Sequence, residues 1–381
     1  MPDPAPRPAP GPAASVPRSN NLDALRLLFA VEVMLVHLFA YFETGHERLA
    51  LSYLPGVPAF FLVSGFLIWA AYDHAPSLRA YATNRLLRLY PALVVVALAG
   101  TLFAAIVKGD AVAPLAYLGF FLSTVTLGQS LHPEWLRDVG VGVMNGPLWT
   151  IATEMLFYAS VPVLHALQRR WGGTLWVALG ASFALYWLGR EHLVEPIALG
   201  KSAFDFLSLT PAVWGWMFLV GSLLYVHFER VSRWLHLGWL AVPALALVAL
   251  AGGDGAWLNA RGQVLGLVYF VPYAVLILWA AFRLPVWRPR ADLSYGVYIW
   301  HMIAINALLV LDLPSVPLAI GLTLLAATLS WYLVERPALS LKRASIRREP
   351  RPSSARAAPT GPAPAARAPL PSPSPSRHSA R

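Results

Sequence analysis

The sequence predicts an all-α, polytopic membrane protein with ten transmembrane helices and disordered cytoplasmic tails. Of its 381 residues, 57% are hydrophobic and only 13% are charged, and the mean hydropathy is +0.56. Soluble domains carry about 25% charged residues, so an ordinary soluble enzyme is excluded. Apolar stretches recur at the length of about 20 residues that a bilayer requires. The chain has no cysteine, which excludes disulfides, a thiolate nucleophile and cysteine-based zinc sites.

The two ends of the chain, 1–19 and 344–381, are rich in proline and lack apolar runs. We expect a disordered leader that is not a signal peptide, because residues 1–19 contain no apolar run of the kind that a signal peptide carries after its charges. We also expect a disordered basic tail without catalytic residues. The excess of Lys and Arg (29) over Asp and Glu (19) lies mostly in this tail, which is typical of a cytoplasmic end. Nucleic-acid binding is not predicted, because no aromatic or glycine-rich motif accompanies the charges.

The predicted membrane domain covers residues 20–343. A further apolar segment, 113–128, is short, and we interpret it as a re-entrant or interfacial helix. With the N-terminus inside, the inner loops carry more bases than acids and the outer loops the reverse. This distribution favours ten spans with both termini cytoplasmic. The Ala-, Arg- and Pro-rich tails suggest a GC-rich bacterial genome, so we expect a multipass protein of the bacterial inner membrane. The ten predicted spans are 22–42, 56–72, 91–107, 147–167, 174–189, 211–228, 235–251, 264–282, 294–312 and 316–334.

The first span contains four ionisable residues, Asp23, Arg26, Glu32 and His37, and such residues inside a bilayer are functional candidates. At about 100° per residue, Arg26 and His37 differ by about 20° and lie about 16 Å apart along the helix. Asp23 falls within about 40° of His37, whereas Glu32 points about 140° away. Histidine is a suitable base near neutral pH, and arginine suits phosphate or carboxylate. This pattern indicates a channel for a long molecule with an anionic head and a reactive tip; a polar pair that only packs helices is the alternative.

Four other candidates lie in the next spans or just before them. Arg85 and Arg88 are one helical turn apart just before the third span, where they form either a phosphate clamp or a plain cytoplasmic anchor. Glu154 lies well inside the fourth span and is either functional or a structural carboxyl. Ser64 lacks the Gly-x-Ser-x-Gly context of a nucleophile, so we interpret Ser64 and Gly65 as a point of close helix packing.

The last two spans supply the remaining candidates. His301 lies in the ninth span with Tyr295 and Tyr298 and is either functional or a hydrogen-bonded interior histidine. Glu335 is expected at a helix end against Arg336, in a structural role. No metal site is predicted, because the histidines are scattered and no His-Glu-x-x-His motif is present.

Six short motifs in this order resemble those of the acyltransferase 3 family of integral membrane acyltransferases, across about residues 20–343. Leu27 departs from the glycine that often follows the arginine of that family, and Glu154 stands alone where two acids are common. No soluble esterase-like domain is expected after the tenth span, so the chain resembles the stand-alone form. The motifs are LDALRLLFAVEVMLVHLF, GVPAFFLVSGFLIW, NRLLRLYPAL, GPLWTIATEMLFY, LSYGVYIWH and VERP.

The resemblance implies transfer of an acyl group, often acetyl, from cytoplasmic acyl-CoA to a hydroxyl. Acceptors across the family include surface glycans, lipid-linked sugars, peptidoglycan and macrolide-type natural products. On this basis His37 and Glu154 are the catalytic candidates, His37 acting as a base or as an acyl carrier. The candidates for holding acyl-CoA are Arg26, Arg85 and Arg88, and those for supporting roles are Asp23, Ser64, Tyr295, His301 and Glu335.

Two rival functions remain open from the sequence. A proton-coupled multipass transporter or flippase also needs intramembrane Arg, Glu and His. A membrane scaffold would use the same polar residues only to pack its helices. Membrane lipids are expected around the protein in every case.

Overall fold

The computed structural model describes residues 16–42, 50–74, 76–194, 207, 210–252 and 257–341. Within these ranges all regular secondary structure is helical, as predicted. The expected disorder of 1–19 and 344–381 falls outside the described residues, apart from residues 16–19.

Twelve α-helices occur in the described part of the chain, numbered here in chain order. A π-helical turn, Trp331–Glu335, follows the last of them, and that helical segment continues to Leu341. The helices are α1 (Leu22–Tyr41), α2 (Gly56–His74), α3 (Leu78–Lys108), α4 (Pro114–Val125), α5 (Trp149–Arg170), α6 (Thr174–Val194), α7 (Pro211–Val226), α8 (Phe228–Trp234), α9 (Ala241–Ala251), α10 (Leu267–Arg283), α11 (Ser294–Val310) and α12 (Val316–Ser330).

Each of the ten predicted spans overlaps at least one of these helices. Six helical segments of the described chain are long and apolar enough to cross a membrane, and four further apolar helices are shorter. The chain is therefore a multipass helical protein, whereas the number of ten crossings stays a prediction. The six long segments are Leu22–Tyr41, Leu51–His74, Leu78–Ala111, Gly146–Arg170, Phe228–Ala251 and Val316–Leu341.

Helix α3 begins well before the third predicted span. The hydroxyl of Ser77 accepts a hydrogen bond from the Ala80 amide at 3.4 Å, which satisfies one of the free N–H groups of the first turn. The helix has 31 residues and is therefore about 46 Å long, more than the hydrocarbon thickness of about 30 Å. An apolar run marks only the part of a helix in contact with lipid, so Arg85 and Arg88 lie on α3 itself and not ahead of it.

Helices α2 and α7 touch backbone to backbone. A Cβ atom on Gly65 would lie 1.8 Å from the carbonyl oxygen of Phe218, and one on Gly221 would lie 2.0 Å from that of Leu62. Both distances are far below van der Waals contact, so only glycine fits at either position. The predicted close packing at Gly65 is thereby confirmed, and α2 is held at the centre of the bundle beside α1 and α5.

The start of α1 is fixed by a buried asparagine. The Nδ2 group of Asn21 donates to the carbonyl oxygens of Ala280 at 3.1 Å and Leu284 at 3.2 Å. Its Oδ1 accepts from the backbone N–H of Trp287 at 2.7 Å. These bonds attach α1 to the end of α10 and set the level at which Arg26 enters the bundle.

Candidate active site

A cavity lies between α1, α2, α3, α5 and α11, and Arg26, Arg85 and Arg88 all line it. We call it the arginine cavity. The three arginines come from two helices, and the structure brings them together in this one cavity. The cavity measures about 80 Å³, below the range of about 300–1,000 Å³ of most ligand pockets. A large ligand therefore enters only if the lining side chains move.

Two of these arginines share one carboxylate. Oδ2 of Asp292 contacts Nη2 of Arg88 and lies 3.7 Å from Nη1 of Arg26. Its Oδ1 accepts a hydrogen bond from the Ser294 hydroxyl at 2.6 Å. Burial raises the pKa of Asp292, but the guanidinium groups of Arg26 and Arg88 outweigh burial and bring this pKa to about 2. The carboxylate therefore stays charged at neutral pH and links α1, α3 and the start of α11.

Arg85 has a different environment. Its guanidinium carbon lies 5.6 Å from the centre of the Tyr158 ring and 6.0 Å from that of Tyr81. Tyr81 donates from its hydroxyl to the carbonyl oxygen of Tyr158 at 3.0 Å, which holds the two rings together. No carboxylate within the described ranges forms an ion pair with Arg85.

Glu154 lies in the same cavity and accepts two hydrogen bonds on one oxygen. Ser64 donates to its Oε1 at 2.9 Å and Tyr158 at 2.6 Å. Ser64 thus has a polar partner in addition to its place beside the packing glycine. The carboxylate lines the arginine cavity and connects α2 with α5.

A second cavity, of about 350 Å³, lies toward the other end of α1. We call it the histidine cavity because His37 lines it, together with Glu32. Oε2 of Glu32 accepts from the backbone N–H of Gly56 at 2.7 Å, at the first residue of α2. We expected Glu32 to point away from His37. This is wrong for the carboxylate of Glu32, because both side chains line the same cavity. The long side chain reaches the start of α2, where an anion is favoured.

His37 faces a second histidine. The ring centroids of His37 and His301 are 5.1 Å apart, and His301 is fully buried. Nδ1 of His37 lies 2.7 Å from the Val33 carbonyl oxygen, and Nδ1 of His301 lies 3.2 Å from that of Val297. A carbonyl only accepts, so each neutral ring carries its proton on Nδ1 and keeps a lone pair on Nε2. Both Nε2 atoms are thus in the form that a base requires.

Helices α1 and α11 run parallel, because Arg26 meets Asp292 near one end and His37 meets His301 further along. The predicted common flank of Arg26 and His37 is therefore confirmed. The structure does not contain the single channel that we expected between Arg26 and His37. Instead, the two residues line two separate cavities that share only Val57. The reason is a layer of bulky side chains.

That layer, which we call the partition, consists of Val57, Phe60 and Tyr298. All three line the arginine cavity, and the rings of Phe60 and Tyr298 meet edge to face at 5.5 Å. The Tyr298 hydroxyl is fixed by a 2.7 Å hydrogen bond with the Thr150 hydroxyl, and its ring lies 6.2 Å from that of His301. The partition also keeps Glu154, on the arginine side, away from the cavity of His37.

The other predicted residues have separate places. Asp23 is exposed and lines a surface pocket with Arg18 and Arg288, outside both cavities. Tyr295 lines the arginine cavity and donates to the Leu89 carbonyl oxygen at 3.0 Å, which joins α11 to α3.

Glu335 does not pair with Arg336 at a helix end, because the helix continues beyond both residues. The Glu335 carboxylate is buried and accepts from Ser330 at 3.0 Å, while Arg336 is exposed over the Tyr332 ring. Glu335 is the last residue of the π-helical turn, and successive helical residues point about 100° apart, so Glu335 faces inward while its neighbour stays outside.

Sequence reasoning missed Asp292 as part of the site. It lies 204 residues after Arg88, and in the sequence it is one acid in a basic loop. Its position directly before the LSYGVYIWH motif was the only available signal.

Comparison with known proteins agrees with this geometry. Residues 19–335 match the acyltransferase 3 family, described as an acyltransferase domain. Nodulation protein 10 of Rhizobium leguminosarum bv. viciae is 30% identical over 86% of this chain and 95% of its own length. An O-acetyl transferase of Shigella phage Sf6 is 26% identical, covering 84% and 96%.

The exopolysaccharide production protein ExoZ of Rhizobium meliloti (strain 1021) is also similar, with 26% identity over 79% of this chain and 94% of its own length. No solved structure matches at a significant level. The matched segment, 19–335, spans α1 to the π-helical turn and includes every residue of both cavities. The chain therefore belongs to the acyltransferase 3 family and is a membrane acyltransferase.

Proposed function

We propose that this enzyme transfers an acyl group, normally acetyl, from cytoplasmic acyl-CoA to a hydroxyl of a carbohydrate or macrolide-type acceptor. One observation carries the proposal: arginines at one level and a histidine pair at the next lie along the flank shared by α1 and α11. The names of relatives support O-acetylation and a glycan, since one is an O-acetyl transferase and another an exopolysaccharide production protein.

Three guanidinium groups would hold the anionic part of acyl-CoA. Arg26 and Arg88 share the single charge of Asp292, and Arg85 rests on aromatic rings. The three guanidinium groups outnumber the two nearby carboxylates, Asp292 and Glu154, which leaves net positive charge for phosphate groups; arginine binds these through two parallel hydrogen bonds. The thioester would then pass the partition when Phe60 and Tyr298 rotate.

His37 would act as the general base. Its Nε2 takes the proton of the acceptor hydroxyl, the oxygen attacks the thioester carbonyl, and the C–S bond breaks. The CoA thiolate leaves and receives the proton from His37. The hydrogen bond from Nδ1 to Val33 fixes the ring, and the nearby His301 ring excludes water from one side.

Glu154 would serve as a positioning residue for the donor. Its carboxylate fixes the hydroxyl groups of Ser64 and Tyr158 in the arginine cavity, and Arg85 lies over the Tyr158 ring. The position of Glu154 in the arginine cavity agrees better with a role in binding the acyl donor than with direct proton exchange with His37.

The arginine end of α1 would face the cytoplasm of a bacterial cell. The ten predicted spans then place both termini on that side, and the excess of bases in the same set of loops supports this orientation. The histidine cavity would face the outside of the inner membrane, where surface glycans are exposed.

The test is transfer from labelled acetyl-CoA by the purified full chain. We expect label in a hydroxylated acceptor, and we expect Arg85→Ala and Arg88→Ala to raise the KM for acetyl-CoA more than they lower kcat. A protein that moves solutes or lipids without consuming acetyl-CoA is instead a transporter or flippase. An unchanged dependence on acetyl-CoA in both variants would mean that these arginines only set the topology.

A further inference from the structure

A third cavity, of about 360 Å³, lies between α3 and α5. We call it the α3–α5 groove; its lining includes Leu86 and Leu89 of α3 and Met155 and Ala159 of α5. Apart from Arg85 and three tyrosines, the lining residues are apolar. Leu86 and Ala159 are exposed, so the groove opens on the outer surface of the bundle, where a multipass protein meets lipid.

Arg85 links this groove to the arginine cavity, because its side chain lines both. Its Nε atom is buried and has no hydrogen-bond partner in the described structure. Arg26 and Arg88, by contrast, share the carboxylate of Asp292. Among the described residues, Arg85 is thus the arginine of that cavity without an ion-paired carboxylate.

The depth of Arg85 in the membrane suits a lipid phosphate. Arg85 is seven residues after Leu78, where α3 begins, and therefore lies about 10 Å along the helix. A helix of about 46 Å centred on a hydrocarbon layer of about 30 Å extends about 8 Å beyond it at each end. Arg85 is then close to the boundary between headgroups and hydrocarbon, and Leu89 continues the groove into the hydrocarbon.

The size of the groove suits a hydrocarbon chain better than a protein helix. An α-helix about 10 Å across would fill 360 Å³ in less than one turn of about 5.4 Å. A fatty-acyl chain is thinner, and it is apolar along its length as the lining is. With such a chain in the groove, the phosphate attached to it lies beside Arg85, and arginine binds phosphate through paired N–H groups.

We propose that the α3–α5 groove and Arg85 form a binding site for an anionic phospholipid, with one acyl chain in the groove and the phosphate at Arg85. Basic pockets between transmembrane helices bind such headgroups. The net negative charge of the lipid matches the unpaired guanidinium, whereas a zwitterionic lipid carries its own cation. Tyr81 donates to the Tyr158 carbonyl oxygen at 3.0 Å, which joins the two helices at this level before any lipid binds.

The charge of the site is tested by native mass spectrometry of the purified full chain. The protein is mixed with equal amounts of phosphatidylglycerol and phosphatidylcholine that carry the same acyl chains. We expect the wild type to retain phosphatidylglycerol at least threefold more than phosphatidylcholine. Arg85→Gln should lose this preference, and Arg85→Lys should keep most of it.

The matched control is Arg79→Gln, which removes an exposed arginine of α3 that lines none of the three cavities. It should keep the preference of the wild type. Equal retention of the two lipids by the wild type would overturn the proposal. An equal loss in Arg79→Gln and Arg85→Gln would do so too, because surface charge alone would then explain the binding.

The groove is tested by filling it. Ala159→Trp places a large ring in the groove and should reduce bound phosphatidylglycerol at least threefold. Val163→Trp, at an exposed position one turn further along α5 that does not line the groove, should not. Displacement of the lipid by an equal concentration of glycerol phosphate would overturn the proposal in favour of a free phosphate site. A dimer that Ala159→Trp dissociates would assign the groove to a second copy of the chain and also overturn it.

A second measurement needs no variant and so does not depend on how the variants fold. Phosphatidylglycerol with a diazirine at the end of one acyl chain is added to membranes that contain the wild-type protein and is then photoactivated. We expect cross-linked peptides from 78–90 and 155–162. Cross-links found only on other helices would contradict the site.

A consequence for turnover rests on the proposed function. Because Arg85 lines both cavities, the lipid phosphate competes with the donor for one guanidinium. In phosphatidylglycerol liposomes we expect a KM for acetyl-CoA at least threefold higher than in phosphatidylcholine, with a similar kcat. Ala159→Trp should abolish this difference, and a difference that persists there comes from the charge of the membrane surface and overturns the competition.

The outcomes for the lipid site and for the proposed function are distinct. An unchanged KM together with phosphatidylglycerol binding that requires Arg85 supports the lipid site and removes Arg85 from the donor site. If neither kind of liposome supports transfer from labelled acetyl-CoA, the proposed function fails, while lipid binding that requires Arg85 still supports the lipid site.

Discussion

At the scale of single residues, the proposed mechanism depends on His37 as its general base. His37→Ala should reduce the rate of acyl transfer by about 10²–10⁴-fold, the usual contribution of a general base. The measurement is the initial rate with labelled acetyl-CoA at equal amounts of folded protein.

The control for this variant is His236→Ala, an exposed histidine bonded only to a backbone carbonyl in the described structure, which should retain full activity. Retention of half the activity by His37→Ala would remove the base assignment. A labelled acyl group trapped on the protein in rapid acid quench would instead make His37 an acyl carrier.

Asp292 tests whether the arginines need a fixed arrangement. Asp292→Asn removes the charge that Arg26 and Arg88 share, so the two cations repel and separate. We expect a rise of about tenfold in the KM for acetyl-CoA, partial rescue by Asp292→Glu, and a smaller change in kcat. A lower KM would show that the carboxylate competes with the donor and does not position its partners.

The same carboxylate predicts a pH effect on stability. Its pKa of about 2 is below the value of about 3.9 for an unfolded aspartate. Its contribution to stability is therefore complete above about pH 4 and is lost as the pH falls toward 2. Thermal unfolding in detergent should show this acid loss in the wild type and less of it in Asp292→Asn. Asp138→Asn, which breaks an exposed pair with Lys108, is the matched control.

Whether the position of a residue could be predicted depended on how far apart it and its partners lie in the sequence. Arg26 and His37 lie on one helix, so the angle of 100° per residue was enough to place them on one flank. The same angle describes the backbone of Glu32, but a hydrogen bond from the start of α2 sets the position of its carboxylate. Asp292 reaches its partners through the tertiary fold, which no local pattern encodes.

At the scale of helices, the contact of α2 with α7 controls the level of both cavities, because α2 carries Val57, Phe60 and Ser64. Gly65→Ala should force the two backbones apart and cost about 1–3 kcal/mol, as overpacking does. The measurement is the melting temperature in detergent, together with the rate of transfer.

Gly119→Ala on α4 is the control, because a Cβ there meets nothing within 4 Å. Equal melting temperatures for the two variants would contradict the backbone contact. Hydrophobic length located eleven of the twelve described α-helices, and the short α8 falls between two predicted spans. It also shortened α3, because the polar turns that carry Arg85 and Arg88 do not differ from a loop in composition.

At the scale of the whole molecule, the order of crossings determines which cavity faces the cytoplasm. Between Glu134 and Arg290 there are five predicted spans, so the two exposed residues should lie on opposite sides of the membrane. In the cysteine-free chain, Glu134→Cys should react with an impermeant maleimide in intact cells, and Arg290→Cys should react only after lysis.

Labelling of both positions from outside would contradict the count of ten.

The family and the helical class followed from six motifs and composition, because both are encoded locally. The division of the site into two cavities did not, because the partition arises from side chains of α2 and α11 that meet only in the folded bundle.

The partition has a consequence for the cell that houses the enzyme. A continuous water-filled path lined by arginine and histidine would conduct protons and dissipate the electrochemical gradient across the bilayer. With Val57, Phe60 and Tyr298 closed between the two cavities, we expect the resting protein not to conduct protons. Proton flux into liposomes that contain the purified protein would measure this, and a wild-type protein that leaks protons would contradict it.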